Sequence, residues 1–409
     1  CRAWKLATVA ALASSGVLAA QADDVLTPVQ RKVLAEARTE AVIASRKAEA
    51  ELLQDLSSAA LRLRFRLMGA GELAKFSGQE LLDMLKANLE SVEYTSNFGI
   101  DAVSRKLHPG NEAMDLDTVE KYGHIPSSWE LKVAKSRLVQ NMSHLEWGVL
   151  DAAETGVYGL PPFSKPGSPS KEEMVNRPKY LAGNLRRMDT GLEQYGAYAA
   201  VLRNGVVRDR ALLAGVDSGF WESFCNSSVT PVVRPNWLER ISIPCSPVSL
   251  APVGVADHQV HTVLANIRTY ENVGGSLPYF LYQFLSPGAK VRPLESRFYT
   301  EAALLGGIRM QDLKLLVGSF PGLFGTKEGA ALRDFCKRHG VPLAWGFSSG
   351  RTWASEGDNQ MRLFPFEPFE YWPAGKARFM DPVAGWSATN ATSPDMDYEW
   401  ERVWAEVAD

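Results

Sequence analysis

Among the residues whose type and setting could do chemistry, Glu301 stands first. Arg297-Phe298-Tyr299-Thr300-Glu301 reads as the start of a strand running to Leu305, which puts Tyr299 and Glu301 on one side of it. A carboxylate in an otherwise apolar strand carries a desolvation cost unless it has partners or opens on a cleft. Placed so, it can orient a ribose hydroxyl or stabilise a developing cation. A salt bridge with Arg297 or Arg309 is the competing role, and spacing alone leaves both open. Histidine is scarce, with six in the chain. His258 and His261, three apart on an expected helix, share a face and could offer two metal ligands with Asp257 nearby. No Cys or His motif completes such a site, so a polar helix face is the expectation and no metal is assigned.

The elements that must position these residues begin with a helix start at Thr27-Pro28-Val29-Gln30. The Ala-, Glu-, Arg- and Leu-rich stretch that follows predicts one helix to about Met68, closed by Gly69 and Gly71. Ser77-Gly78-Gln79-Glu80 opens a second helix with Leu81, Leu82, Leu85 and Leu89 on one face. A third is expected from Trp129 to about Ala153. Residues 159–178 hold five prolines and read as a long surface loop. Beyond it, Tyr195–Arg203 and Arg297–Leu305 have strand composition. His258 to Tyr270 reads as helix, and Lys327–His339 as helix before a Gly340 turn and a strand over Val341–Phe347. Helices first and mixed strands later predict an α+β fold, a helical N-terminal third followed by a mixed, mainly antiparallel sheet with short helices. The expected divisions are a targeting peptide at 1–22, a helical region at 23–100, an α+β core at 101–364 and a surface-wrapping tail at 365–409.

Charge and motif inventory exclude several classes. With 44 basic and 47 acidic residues, the chain lacks the excess that general nucleic-acid binding needs. No GxGxxG follows a strand, and GxxxxGK[ST] and HExxH are missing from the sequence. Arg2 and Lys5 precede a short apolar run that ends in Ala20-Gln21-Ala22, the pattern of a cleavable export signal, with organelle import as the other reading. A secreted or lumenal protein without a transmembrane anchor after cleavage is therefore expected. Cys225 and Cys245 are a candidate disulfide there, with reduced thiols equally open, and Cys336 reads as a buried thiol. Asn141, Asn226 and Asn390 begin glycosylation triplets.

A resemblance adds to these readings. Asn176-Arg177-Pro178-Lys179-Tyr180, Gly183-Asn184-Leu185-Arg186-Arg187, Tyr195-Gly196 and Asp217-Ser218-Gly219 resemble segments of a bacterial domain-of-unknown-function family. That family carries an RPKYGALN-like segment, an apolar strand ending in Arg, and a GDS-like turn. Tyr299–Leu316 resembles its YIEAQxHGxVxLxDVEALV-like segment, Leu107-His108-Pro109 its FHPDR, and Glu154-Thr155-Gly156 its FETG. The likeness covers roughly residues 105–350 in the family's order. The glutamate segment is in turn similar to the end of mono-ADP-ribosyltransferase domains. The resemblance implies NAD as a substrate, with Glu301 binding the nicotinamide ribose and promoting glycosidic cleavage. His108 would hold the adenylate or ribose side, and Thr155 with Gly156 would line the nicotinamide pocket. Tyr180, Arg203, Asp217, Ser218 and Tyr299 complete the implied binding set, and the acceptor of the ADP-ribose is left open. Three motif positions depart from the family, at Gly110-Asn111, in Ala-Ala-Glu-Thr-Gly-Val-Tyr-Gly-Leu-Pro-Pro where the family's Asn-Gly pair is lost, and at Ala303, which leaves a changed substrate or a non-catalytic scaffold as alternatives. A metal-dependent hydrolase using His258, His261 and Asp257 is the third reading.

Overall fold

The computed structural model describes residues 25–98, 123–125, 127, 129, 151, 154–164, 169–185, 191, 198–215, 253–270, 277–285, 300–320 and 327–347, with the pairs 351–352, 362–363 and 379–380. Three helices open the described chain: α1 (Pro28–Leu56), α2 (Ala59–Leu67) and α3 (Gly78–Glu90). The Thr27 hydroxyl caps α1 and Gln30 returns the bond, as the sequence predicts. The single helix expected to Met68 is two. Ser57 turns its hydroxyl onto the Leu53 carbonyl, and Ser58 then caps α2 through the Leu61 amide. Two adjacent serines offer the backbone side-chain partners in place of helical ones, which ends a helix without glycine or proline.

Eight strands of the described residues form one sheet, in the order β12-β9-β8-β4-β1-β3-β6-β5. These are β1 (Tyr94–Phe98), β3 (Lys179–Gly183), β4 (Tyr198–Leu202), β5 (Ala211–Ala214), β6 (Thr300–Leu304), β8 (Leu313–Phe320), β9 (Leu343–Phe347) and β12 (Phe379–Met380). Every neighbouring pair is antiparallel except β8 and β9, which run parallel. Helix α8 (Lys327–His339) lies between those two in sequence, and Gly340 at φ 63° turns the chain out of it. The expected α+β architecture is the one observed. The strands expected over 195–203 and 297–305 end one residue early, at Leu202 and Leu304, the one expected over 341–347 starts at Leu343, and β1, β3, β5 and β8 are additional to them.

Paired residues in an antiparallel ladder share a face, so the register sorts the two sides of the sheet. One side carries Tyr94, Leu181, Tyr198, Ala200, Leu202, Leu213, Ala302, Leu304 and Trp345 into the larger core. There they meet α2, α3, α6 (Val260–Tyr270), α7 (Leu277–Leu285), α8 and the C-terminal half of α1. The other side carries Leu212, Ala214, Ala303 and Leu305, packed on Leu26, Val33, Leu34, Ala37 and Ala41 from the start of α1. The buried residues of α1 recur every three or four positions from Gln30 to Leu56, one stripe that serves both clusters.

The stretch 159–178, expected as a surface loop, holds helix α4 (Lys171–Val175), started by a capping box between Ser170 and Glu173. Leu160, Phe163 and Arg177 in it are buried. Gln30 donates to the Val175 carbonyl and Thr27 bonds Asn176, so the start of α1 holds this segment against the sheet. Helix α5 (Asn204–Arg210) joins β4 to β5. Gly306 and Gly307, at φ 76° and 70°, make the turn from β6 into β7 (Ile308–Arg309), which pairs with β2 (His124–Ile125).

Candidate functional site

Glu301 sits on β6 in register with Ala182 of β3 and Ala214 of β5. Ala182 is in turn in register with Thr95 of β1, and Thr95 with Val201 of β4. These residues share the face opposite the larger core, so methyl groups flank the carboxylate along its row. Glu301 is 6% exposed. The Tyr158 hydroxyl donates a short hydrogen bond to its Oε1. Tyr158 is itself buried and lies in the helical run 154–158.

A second carboxylate lies on the same run. Glu154 is fully buried and accepts from the indole of Trp129 at 2.9 Å and from the Tyr180 hydroxyl at 2.7 Å. The Arg177 guanidinium stands 3.0 Å from its Oε2 and also pairs with Asp151. Arg177 lies over the Phe163 ring, 3.8 Å from its centroid, and Phe163 meets Trp129 edge to face. Burial pushes the Glu154 carboxyl up to about 7 although Arg177, Tyr180 and Trp129 all favour its ionised form. The Tyr180 hydroxyl is held protonated well above the usual phenol range, by burial first and then by the fields of Glu154 and Glu301. The rings of Tyr158 and Tyr180 are 6.5 Å apart, so the two carboxylates belong to one cluster.

Helical spacing adds one more group. Thr155 and Tyr158 lie three apart and share a face of their run. The Thr155 Oγ1 is buried and has no hydrogen-bond partner among the described residues. A buried hydroxyl without a described protein partner, one helical turn from Tyr158, has capacity left for a ligand atom.

The sequence-derived residues divide as follows. Glu301 and half-buried Tyr180 of β3 stand in one cluster, and Thr155 and exposed Gly156 lie on the helical run that carries Glu154 and Tyr158. Arg203 does not join them. It is exposed, follows β4, and sends its Nε to the Leu313 carbonyl at 3.2 Å. Strand β4 lies three strands from β6, about 14 Å across the ladder. His108, Asp217, Ser218 and Tyr299 lie outside the described residues, as do Arg297, Cys225, Cys245 and the three glycosylation triplets. Glu301 takes the Tyr158 phenol as one partner, and Arg309 stands in register with His124 in the β7–β2 ladder. Trp129, Asp151, Glu154, Tyr158 and Arg177 were not singled out from sequence as site residues. The signal was present, because Glu154 and Arg177 stand inside two of the motifs quoted above.

The histidine reading changes. His258 precedes α6 and bridges to Val255, whereas His261 is buried inside the helix, so the two do not share a helical face. Asp257 pairs with Arg208 at 2.9 Å. Among the described residues no group of three His, Cys, Asp or Glu side chains could hold a metal ion. Cys336 is a buried free thiol, as expected. Among the described residues no helix is long and apolar enough to cross a membrane. No protein-family model matches the chain, and no curated protein matches it significantly in sequence.

Proposed function

We propose that the chain is an ADP-ribosyltransferase-like enzyme that cleaves NAD at Glu301 and passes ADP-ribose to an acceptor. The observation that carries the reading is the pairing of a buried strand carboxylate with a lone hydroxyl one helical turn from its donor. Glu301 is held by Tyr158, and Thr155, whose Oγ1 is buried with no hydrogen-bond partner among the described residues, is the residue to which the resemblance gives the nicotinamide side. Three motif segments that are distant in sequence, around Glu154, Arg177 and Glu301, meet in this one cluster.

The chemistry asked of these residues is modest. The bond between the ribose C1′ and the nicotinamide nitrogen breaks, and its electron pair leaves with the neutral nicotinamide. The oxocarbenium ion left behind is stabilised by a carboxylate aimed at the ribose. Tyr158 keeps that carboxylate in one orientation, which lowers the reorganisation needed in the transition state. The acceptor's lone pair then forms the new bond at C1′, and its proton leaves to solvent.

Incubating the chain with NAD and measuring released nicotinamide tests this. Release that falls on the order of a hundredfold or more in Glu301→Gln is the expected result. A non-catalytic scaffold is the second reading, favoured by the close pairing of Glu154 with Arg177, Trp129 and Tyr180. It expects no nicotinamide from parent or variant, and NAD that leaves the unfolding midpoint of both unchanged.

A further inference from the structure

Helix α2 packs into the larger core, across the sheet from Glu301, and has a different character. Its sequence is Ala-Ala-Leu-Arg-Leu-Arg-Phe-Arg-Leu. Leu61 and Phe65 face inward and are buried in the larger core. Leu63 and Leu67, also four apart, face outward and are 56% and 78% exposed. Arg62, Arg64 and Arg66 flank them, all exposed. None of the three guanidiniums has an ion-pair partner among the described residues. From Ala59 to Gly71 the chain holds no Asp or Glu, and the nearest described ion pair, Lys75 with Glu72, is closed on itself.

We propose that this face of α2 docks on an anionic phospholipid bilayer. Two leucines one turn apart form a ridge too small for the core of a stable protein interface, which needs roughly 800 Å² from each partner. The same ridge suits the boundary between headgroups and acyl chains, where apolar area and basic charge act together. Arginine is fitted to that position because its apolar stem can lie beside the leucines while the guanidinium stays at the phosphates. Phe65 and Leu61 anchor the helix from below, so the ridge is presented on a fixed support. Binding of this kind is peripheral and needs no spanning helix.

The full chain is sedimented with vesicles of phosphatidylcholine alone and of phosphatidylcholine with phosphatidylserine. Retention on the mixed vesicles, little on the neutral ones and release at high salt are expected. Replacing the three arginines by glutamine lowers partitioning on the order of a hundredfold. Leu63→Ser with Leu67→Ser lowers it roughly tenfold, and neither variant moves the unfolding midpoint, since all five side chains face solvent. Equal retention on both vesicle types, retention on neither, or variants that bind like the parent would overturn the proposal. The lipid and salt arms use the parent chain, so they decide the matter even where a variant is destabilised. Self-association lost in the leucine variant, without lipid binding in the parent, would assign the face to a second copy instead and equally reject it.

Discussion

Two buried charge clusters lie close to β6 and are built on different plans. At the β6–β7 turn, Arg210 pairs with Asp312, with side chains 4% and 9% exposed. Asp312 also takes the Arg309 amide, and Arg210 reaches the Gly307 carbonyl. One cation meets one anion, and each spends its remaining capacity on the backbone of the turn it holds. On the other side, three carboxylates (Asp151, Glu154 and Glu301) gather with one guanidinium and two phenols. Arg177 answers Glu154 and Asp151, and Glu301 takes a phenol. The balanced pair is a fastening for the turn. The acid-rich cluster keeps one carboxyl near neutrality by burial and leaves a threonine hydroxyl unmatched among the described residues, features that support the proposed ligand site.

Breaking the balanced pair should cost most. Asp312→Ala leaves the Arg210 charge buried and the Arg309 amide without its acceptor. A loss of about 4 kcal/mol in denaturant unfolding is expected. The acid-rich cluster should respond to pH instead. Glu154 holds its proton more tightly when folded, at about 7 against 4.5 for the ordinary group, so the folded chain binds more protons between those values. The stability this gives is complete below pH 4.5 and is lost as pH rises through 7, on the order of 3 kcal/mol in all. Glu154→Gln, followed by unfolding across that range, should flatten the decline. A variant as steep as the parent would place the titration elsewhere.

Arg177→Lys sharpens the comparison further. Lysine cannot lie flat on Phe163 and reach two carboxylates, so a loss of about 2 kcal/mol is expected by thermal unfolding. The smallest effect belongs to Tyr158→Phe, which removes one hydrogen bond to Glu301 at about 1 kcal/mol. If Glu301 acts as proposed, this variant lowers nicotinamide release far more than it lowers the unfolding midpoint. Matching losses in the two readouts would make Tyr158 a structural residue alone.

Local signals were legible where local chemistry decides. The capping boxes at Thr27 and Ser77, the Gly340 turn and the leucine stripe of α3 follow from side chains within four positions of one another. The helix break at Ser57-Ser58 escaped because two serines carry no strong signal of their own, and their effect depends on which carbonyl each finds. Strand β1 escaped for another reason. Tyr-Thr-Ser-Asn-Phe is polar and lacks clean alternation, yet Thr95 and Ser96 are buried because β1 lies between β3 and β4. In the site, Glu301 was visible as a carboxylate out of place among apolar neighbours. Its partner was not, since Tyr158 stands 143 positions away.

The sequence by itself determined the class of fold, the helices α1, α3, α6 and α8, and the one strand carboxylate worth suspecting. Periodicity, capping and residue type carry those without reference to distant parts of the chain. Only the tertiary structure decided which groups stand beside Glu301, that Arg203 lies three strands away, and that His258 and His261 do not share a helical face. Such pairings depend on strand order and register, and these are set by how whole faces bury together, a property no short stretch of residues contains.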